Sequence, residues 1–495
     1  MIYPDYKQFL KYAKKGNVIP VFKEINADLD TPVSAFLRIQ EDKYSFLLES
    51  VEGQEKIARF SFLGTKPHMI FSNRDKEIKI IKPSMGKIKS YVTSKGSLEE
   101  LEGIMRDFHP VEVNGLPRFY GGFIGYLSYD TVRFIEDIPD KNKDDLNLPD
   151  SVFMLTKSLL VFDHLKHKIK IISICYLPRI SSAKNNNYVK KLYSQAVEEI
   201  NHLEMKFKKI MPVSGPLERK PYKITLRSNF TKDGFMNIIK KAKEYIHKGD
   251  IIQVVLSQRL KIKINKNSFD IYRKLRSINP SAYMFYLKMD KFSLIGSSPE
   301  MLVRCEDGFA QTRPIAGTRP RGRDESQDKK MESELLNDAK ERSEHIMLVD
   351  LGRNDLGRVC QAGKVKVSEF MTIERYSHVM HIVSEVSGYL KRGKSSFDAL
   401  KACFPAGTVS GSPKVRAMQI IDELENVRRG PYAGCIGYFS FSGNMDTCIT
   451  IRTIVLKDGY AYIQAGAGIV ADSLPQKEYN ESLNKARALV EAINN

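Results

Sequence analysis

The 495-residue chain has no tryptophan and only six cysteines. Cys175, Cys305, Cys360, Cys403, Cys435 and Cys448 form no C-x-x-C pair, and their gaps fit no zinc framework. Reduced, buried thiols are the expectation. No apolar run approaches the roughly 20 residues of a membrane span. The N-terminal MIYPDYKQFLKYAKKGN has neither the apolar core nor the small-residue cleavage site of a secretory signal. A cytoplasmic protein with no membrane partner is therefore expected. Blocks of like charge are also missing. Lys and Arg exceed Asp and Glu by 78 − 59 = 19, but the lysines are scattered, in short runs such as Lys14-Lys15 and Lys240-Lys241. That pattern argues against a nucleic-acid partner and for attraction to small anions.

With 42% hydrophobic and 28% charged residues, the chain reads as a folded, soluble protein of two or three domains, or two interlocked ones. Up to about Leu177 it reads as strands and turns. Residues 68–82 suggest a hairpin around Asn73-Arg74-Asp75, and 158–176 another near Asp163–His167. A helix is expected from about Tyr188 to Ile210, followed by a stretch of linker composition (208–223). Beyond it, apolar residues at 235, 238, 239, 242, 245 and 246 predict a helix that Gly249 stops. Ile251–Leu260 reads as a strand, Lys330–Leu351 as one long helix, and Pro475–Ala492 as the last helix. Between these, CIGYFSF, CITIRTIVL and YAYIQAGAGIV form a strand–turn–strand run. Blocks of strands and helices without steady βαβ alternation predict an α+β fold, with large antiparallel sheets flanked by helices. The expected division is 1–215 and 216–495.

Several groups of residues suggest chemistry. Glu341 and Glu344, and again Glu478 and Glu481, stand three apart on two predicted helices, so each pair shares a face. If the faces met, the carboxylates would repel unless protonated or bridged by a cation, and oxygen ligands without sulfur suit Mg²⁺. Glycine-containing loops at Pro314–Gly322 and Gln464–Gly468 let backbone N–H groups approach a carboxylate. Ala406–Lys414 is no P-loop, because Lys must directly follow the second glycine. Gly434-Cys435-Ile436-Gly437 is no nucleophile elbow: strands follow it, no histidine lies downstream of His381, and Cys435 reads as core.

Taken together, LLES (47–50), GDIIQVVLSQR (249–259), NPSAYMFYL (279–287), GSSPE (296–300), PIAGTRPRGR (314–323), ERSEHIMLVDLGRNDLGRV (341–359), YSHVMHIVSEV (376–386), FPAGTVSGSPK (404–414), PYAGCIGY (431–438), IRT (451–453), GAGIV (466–470) and EYNESLNKARA (478–488) resemble the chorismate-utilising enzymes, and within them the anthranilate-forming branch. The resemblance implies that family's fold, with an intimately packed N-terminal regulatory region. It implies Mg²⁺ on Glu344 and Glu481, with Glu341 and Glu478 close behind. Glu300 is implied as general acid, and His381 and Thr408 as further catalytic residues. Chorismate contacts are implied for Gly317, Thr318, Tyr432, Arg452, Gly466, Ala467, Gly468 and Lys485. Ala316 stands where aminodeoxychorismate synthases often have a nucleophilic lysine, and Gln253 where isochorismate synthases have the lysine that activates water. Ammonia is then the expected nucleophile, supplied from glutamine by a separate amidotransferase subunit (component II), since the chain lacks a glutaminase. An L-tryptophan feedback site is implied at Ser50, Ala282, Tyr283 and Met284, where Ala282 replaces the usual proline. Two alternatives stand beside this: aminodeoxychorismate synthase component I, against which Ala316 counts, and a basic binding protein without catalysis on the same fold, against which the intact carboxylates, Arg452 and His381 count.

Overall fold

Turn residues set most of the strand pairing. Asp75, His167, Asp290, Asp307 and Asp458 all take positive φ near 50°, and each closes a tight antiparallel hairpin. Thus Met69–Arg74 pairs with Glu77–Lys82, and Ser158–Asp163 with Lys168–Tyr176. Tyr283–Met289 pairs with Phe292–Ser298, Met301–Glu306 with Phe309–Thr312, and Thr453–Lys457 with Tyr460–Ile469. The computed structural model describes residues 1–41, 43–50, 59–178, 185–208, 225–376 and 379–494. The boundary expected at 215/216 lies outside them.

Among the described residues the strands form two sheets, of 13 and 12 strands, with every pairing between named strands antiparallel. Both sheets join the two halves of the chain. In the larger, Tyr44–Glu49 pairs with Tyr283–Met289; in the smaller, Gly122–Leu127 pairs with Cys435–Ser440. The sheets pack on each other through ring contacts: Phe62 meets Phe119 at 5.2 Å and Tyr438 at 5.7 Å, and Tyr126 meets Phe292 at 5.9 Å. These edge-on pairs sit in one apolar core. The architecture is α+β, with helices on large antiparallel sheets. All six cysteines are free and buried, and among the described residues no helix is long and apolar enough to cross a membrane.

The stretch up to Leu177, read as strands and turns, also holds the helices Tyr6–Ala13, Pro32–Ile39 and Ser97–Met105. Two further elements differ from the sequence reading, and both differences shape the site. The helix expected over 330–351 is two helices, Glu325–Asn337 and Ala339–Val359. Asp338 divides them: its carboxylate accepts the Lys340 and Glu341 N–H groups at 3.0 and 3.1 Å and caps the second helix. The stretch CITIRTIVL is likewise two strands. Met445–Ile449 belongs to the smaller sheet and Thr453–Lys457 to the larger. The chain crosses between sheets at Thr450–Arg452, with Arg452 at φ 50°. Apolar alternation slips by one residue at Arg452-Thr453, a slip that a bulge within one strand would also give.

Candidate active site

At this crossing the strands leave a cavity of about 500 Å³, well within the range of small-molecule sites. Both carboxylate helices face it. Glu341 and Glu344 come from the first turns of Ala339–Val359, and Glu478 and Glu481 from those of Pro475–Asn494. Glu300, Gly317, Thr318, His381, Thr408, Tyr432, Arg452, Gly466, Gly468 and Lys485 line it as well, as do Gln253 and Ala316. Ala467 stands apart. Strand alternation turns its side chain into the core beside Leu256. Val255 and Ser257 donate their N–H groups away from the ladder, to Ser410 O and Glu425 Oε1. Their register partners Gly468 and Gly466 therefore face the open edge, and Ala467 spends its N–H on Leu256.

The chain that crosses the sheets positions the cationic wall. Arg452 donates to Lys485 O at 2.6 Å. The Lys485 ammonium reaches Gly466 O at 3.1 Å and Glu481 at 2.7 Å. Burial lowers the Arg452 pKa, while Tyr432 and Glu481 oppose the shift. Behind Tyr432 lies a residue that the sequence reading missed. The buried Arg429 guanidinium sits between the rings of Tyr129 (4.8 Å) and Tyr432 (5.5 Å), and its charge is paired with Glu425 at 2.6 Å. Only a Glu–Arg spacing of four hints at it in sequence, and that spacing is common on helices.

Glu300 is the most perturbed acid of the cavity. Burial raises its carboxyl to about 7, against an ordinary 4.5; the adjacent Thr408 hydroxyl, outside strict hydrogen-bond geometry, and the Lys485 charge offset only part of this. It is therefore substantially protonated at neutral pH. His381 is held below its ordinary value, chiefly by burial. Its Nδ1 lies 3.1 Å from Gly317 O and 3.0 Å from Thr318 Oγ1. A carbonyl can only accept, so Nδ1 carries the proton and Nε2 is left bare. Gly317 holds this arrangement at φ 69°. A Cβ there would stand 3.0 Å from Leu335 Cδ1 and 3.3 Å from Glu341 Oε2. Gly317→Ala should therefore destabilise the fold by about 1–2 kcal/mol and lower turnover about tenfold by displacing His381. Urea unfolding and steady-state rates check both, and an unaltered rate would detach His381 from this turn.

The carboxylates fit a hard cation in kind. Burial raises Glu341 first, then the charge of Glu344; Glu478 is raised by burial and by Glu481. Glu344 Oε1 accepts from Gln253 Nε2 at 3.2 Å, which leaves the buried Gln253 Oε1 without a partner among the described residues. Among those residues no group of three or more His, Cys, Asp or Glu stands ready to hold a metal. Mg²⁺, however, binds through one or two carboxylates, with water and substrate oxygens completing its shell.

A second pocket, of about 50 Å³, takes in Ser50, Ala282, Tyr283 and Met284. Tyr283 OH donates to Asp446 at 3.0 Å, and the buried Arg304 pairs with the same carboxylate at 2.8 Å. The Ser50 hydroxyl is buried, with no partner among the described residues.

A family model of chorismate binding enzymes matches residues 43–491. Anthranilate synthase component 1 of Acetivibrio thermocellus is 50% identical over 498 residues, covering 100% of this chain and 99% of its own. The crystal structure of anthranilate synthase component I from Streptococcus pneumoniae TIGR4 aligns with a TM-score of 0.76 at 35% identity, over 94% of this chain and 98% of that one. The menaquinone-specific isochorismate synthase of Escherichia coli shares the fold, with a TM-score of 0.72 at 18% identity over 98% of each chain.

Proposed function

Since this chain belongs to the chorismate-binding enzyme family, and within it to the anthranilate synthase component 1 group, we propose that it converts chorismate and ammonia to anthranilate and pyruvate, with Mg²⁺. The supporting observation is the joint wall of the large cavity: buried Glu300, its carboxyl raised to about 7, on one side, Arg452 on another, and two carboxylate pairs between. Arg452, the Tyr432 hydroxyl and the backbone N–H groups of Gly466 and Gly468 suit one substrate carboxylate. Bound between Glu344 and Glu481, with Glu341 and Glu478 behind, Mg²⁺ would supply positive charge at the ring carboxylate. Glu300 gives its proton to the departing ring hydroxyl as ammonia's nitrogen bonds to the ring, because hydroxide is a poor leaving group. His381, neutral with Nε2 bare, is suited to take a proton as pyruvate leaves and the ring aromatises. Gln253, an amide, is no base for water.

Ammonia would come from glutamine through a separate amidotransferase subunit, the second component that the relatives' name implies. Product identification tests the reading. With chorismate, Mg²⁺ and ammonium, the chain should form fluorescent anthranilate; isochorismate or aminodeoxychorismate as product would overturn it.

The smaller pocket suits L-tryptophan as feedback inhibitor. Tyr283 is in register with Ser298, two residues before Glu300, so a ligand seated against Tyr283 presses on the strand that leads into the acid. Ser50→Ala should raise the tryptophan inhibition constant about fivefold to tenfold, the worth of one buried hydrogen bond, with kcat unchanged. Unaltered inhibition would move the inhibitor elsewhere.

A further inference from the structure

A third cavity, of about 50 Å³, lies behind Glu300 and shares Glu300, Leu348 and Thr408 with the large one. Glu300 thus stands in a partition between two spaces. The rear space is lined largely by apolar side chains but carries unpartnered polar groups. Among the described residues, the buried hydroxyls of Thr312 and Thr408 have no hydrogen-bond partner of good geometry, and buried hydroxyls are normally satisfied by protein or by water. One water needs roughly 10–15 Å³ of such space, so the cavity has room for a short chain of them. Gly352 keeps the way open. It lies inside the helix Ala339–Val359, where glycine costs about 1 kcal/mol relative to alanine. A Cβ at Gly352 would stand 3.0 Å from Thr312 Oγ1. Further along, the Asp355 carboxylate, paired with Lys414 at 2.7 Å, completes a polar end.

We propose that this rear cavity is a water-filled proton return path, which restores the proton to Glu300 after each turnover. The inference rests on the reading of Glu300 as general acid. In that step the ring C–O bond breaks with its electron pair on oxygen, Glu300 gives up its proton, and water forms. The nitrogen that has added to the ring loses one proton to solvent, and one proton passes from solvent along the rear waters to the Glu300 carboxylate, so protons balance. Until product leaves, the bound ring covers the front face of the acid, so the rear is the way back while the cavity is occupied.

The test compares the first turnover with later ones. Gly352→Ala introduces a better helix former and places a methyl on the path. Mixed rapidly with chorismate, Mg²⁺ and ammonium, this variant should complete its first turnover within about twofold of the wild-type rate, then slow at least about fivefold, giving a burst of one anthranilate per site. Thr312→Val should behave likewise, and Thr312→Ser should restore the wild-type pattern. First and later turnovers slowed alike would mean a structural effect. A raised KM for ammonium would mean that the cavity carries the amine. Either result, or no slowing, overturns the proposal. Crystals of the unliganded protein should hold ordered water on the Thr312 and Thr408 hydroxyls, and Gly352→Ala should lose it; a dry cavity in an active enzyme also overturns the path. A wild-type chain that forms no anthranilate would instead remove the functional reading, and the path with it.

Discussion

Replacing Glu300 with glutamine is expected to lower anthranilate formation by about 10²–10⁴-fold, the usual worth of a positioned acid, while chorismate still binds. The same change should stabilise the fold above neutral pH. Folded Glu300 titrates at about 7 against an ordinary 4.5, so its carboxyl is raised on folding. Its share of stability is complete below pH 4.5 and is lost as pH rises through 7. Ionising it in place costs about 3 kcal/mol at pH 8, from 1.36 kcal/mol per unit. Glutamine keeps the volume and carries no titration, so the variant should melt higher than wild type at pH 8, and the gap should close at pH 5. Turnover with ammonium gives a matching signature. Free NH₃ grows with pH while protonated Glu300 declines, so the rate should pass through a maximum. A Glu300→Gln variant with wild-type turnover would remove the residue from the chemistry.

The second large effect belongs to the paired carboxylates. Glu344→Gln or Glu481→Gln should each lower turnover by about 10³-fold, equivalent to about 4 kcal/mol of lost charge stabilisation. Calorimetric titration with Mg²⁺ should show weakened binding in both variants, and chelator should silence the wild type. The two positions are not equivalent in the fold. Glu344 is held by Gln253 from a neighbouring strand, and Glu481 by Lys485 one turn along its own helix. Removing Glu344 therefore also frees the amide of Gln253, whereas removing Glu481 frees an ammonium beside Gly466 O. Wild-type rates in either variant would discard the metal assignment.

Much of this was legible in the chain because local chemistry dictates it. Asp75, Asp458 and Gly459 sit where tight turns need positive φ, so the hairpins could be read. The helix at Lys232–His247 follows its apolar spacing. The Glu pairs are three apart, so one helix face had to carry each of them. What failed was pattern without punctuation. The alternation of residues 448–456 slips at Arg452-Thr453, but a bulge in one long strand gives the same slip as a change of sheet, and Asp338 looks like any polar residue of a helix until its carboxylate is seen capping the next one. Ala467 was read with its glycine neighbours, but a strand sends adjacent residues to opposite edges, and only register tells which edge is open.

The sequence alone determined which residue types stand where: paired carboxylates on two helices, an arginine in Ile-Arg-Thr, a glutamate after Ser-Ser-Pro, and an alanine and a glutamine at positions 316 and 253. Tertiary structure alone decided that these meet. Glu300, Glu344, Arg452 and Glu481 are separated by up to 181 residues, and no local rule sets distance across such loops. They converge because two sheets share one core, and the chain changes sheet at Arg452. The same burial raises the acid's pKa to about 7, since desolvation depends on what packs around a carboxyl, and not on the residues beside it in sequence.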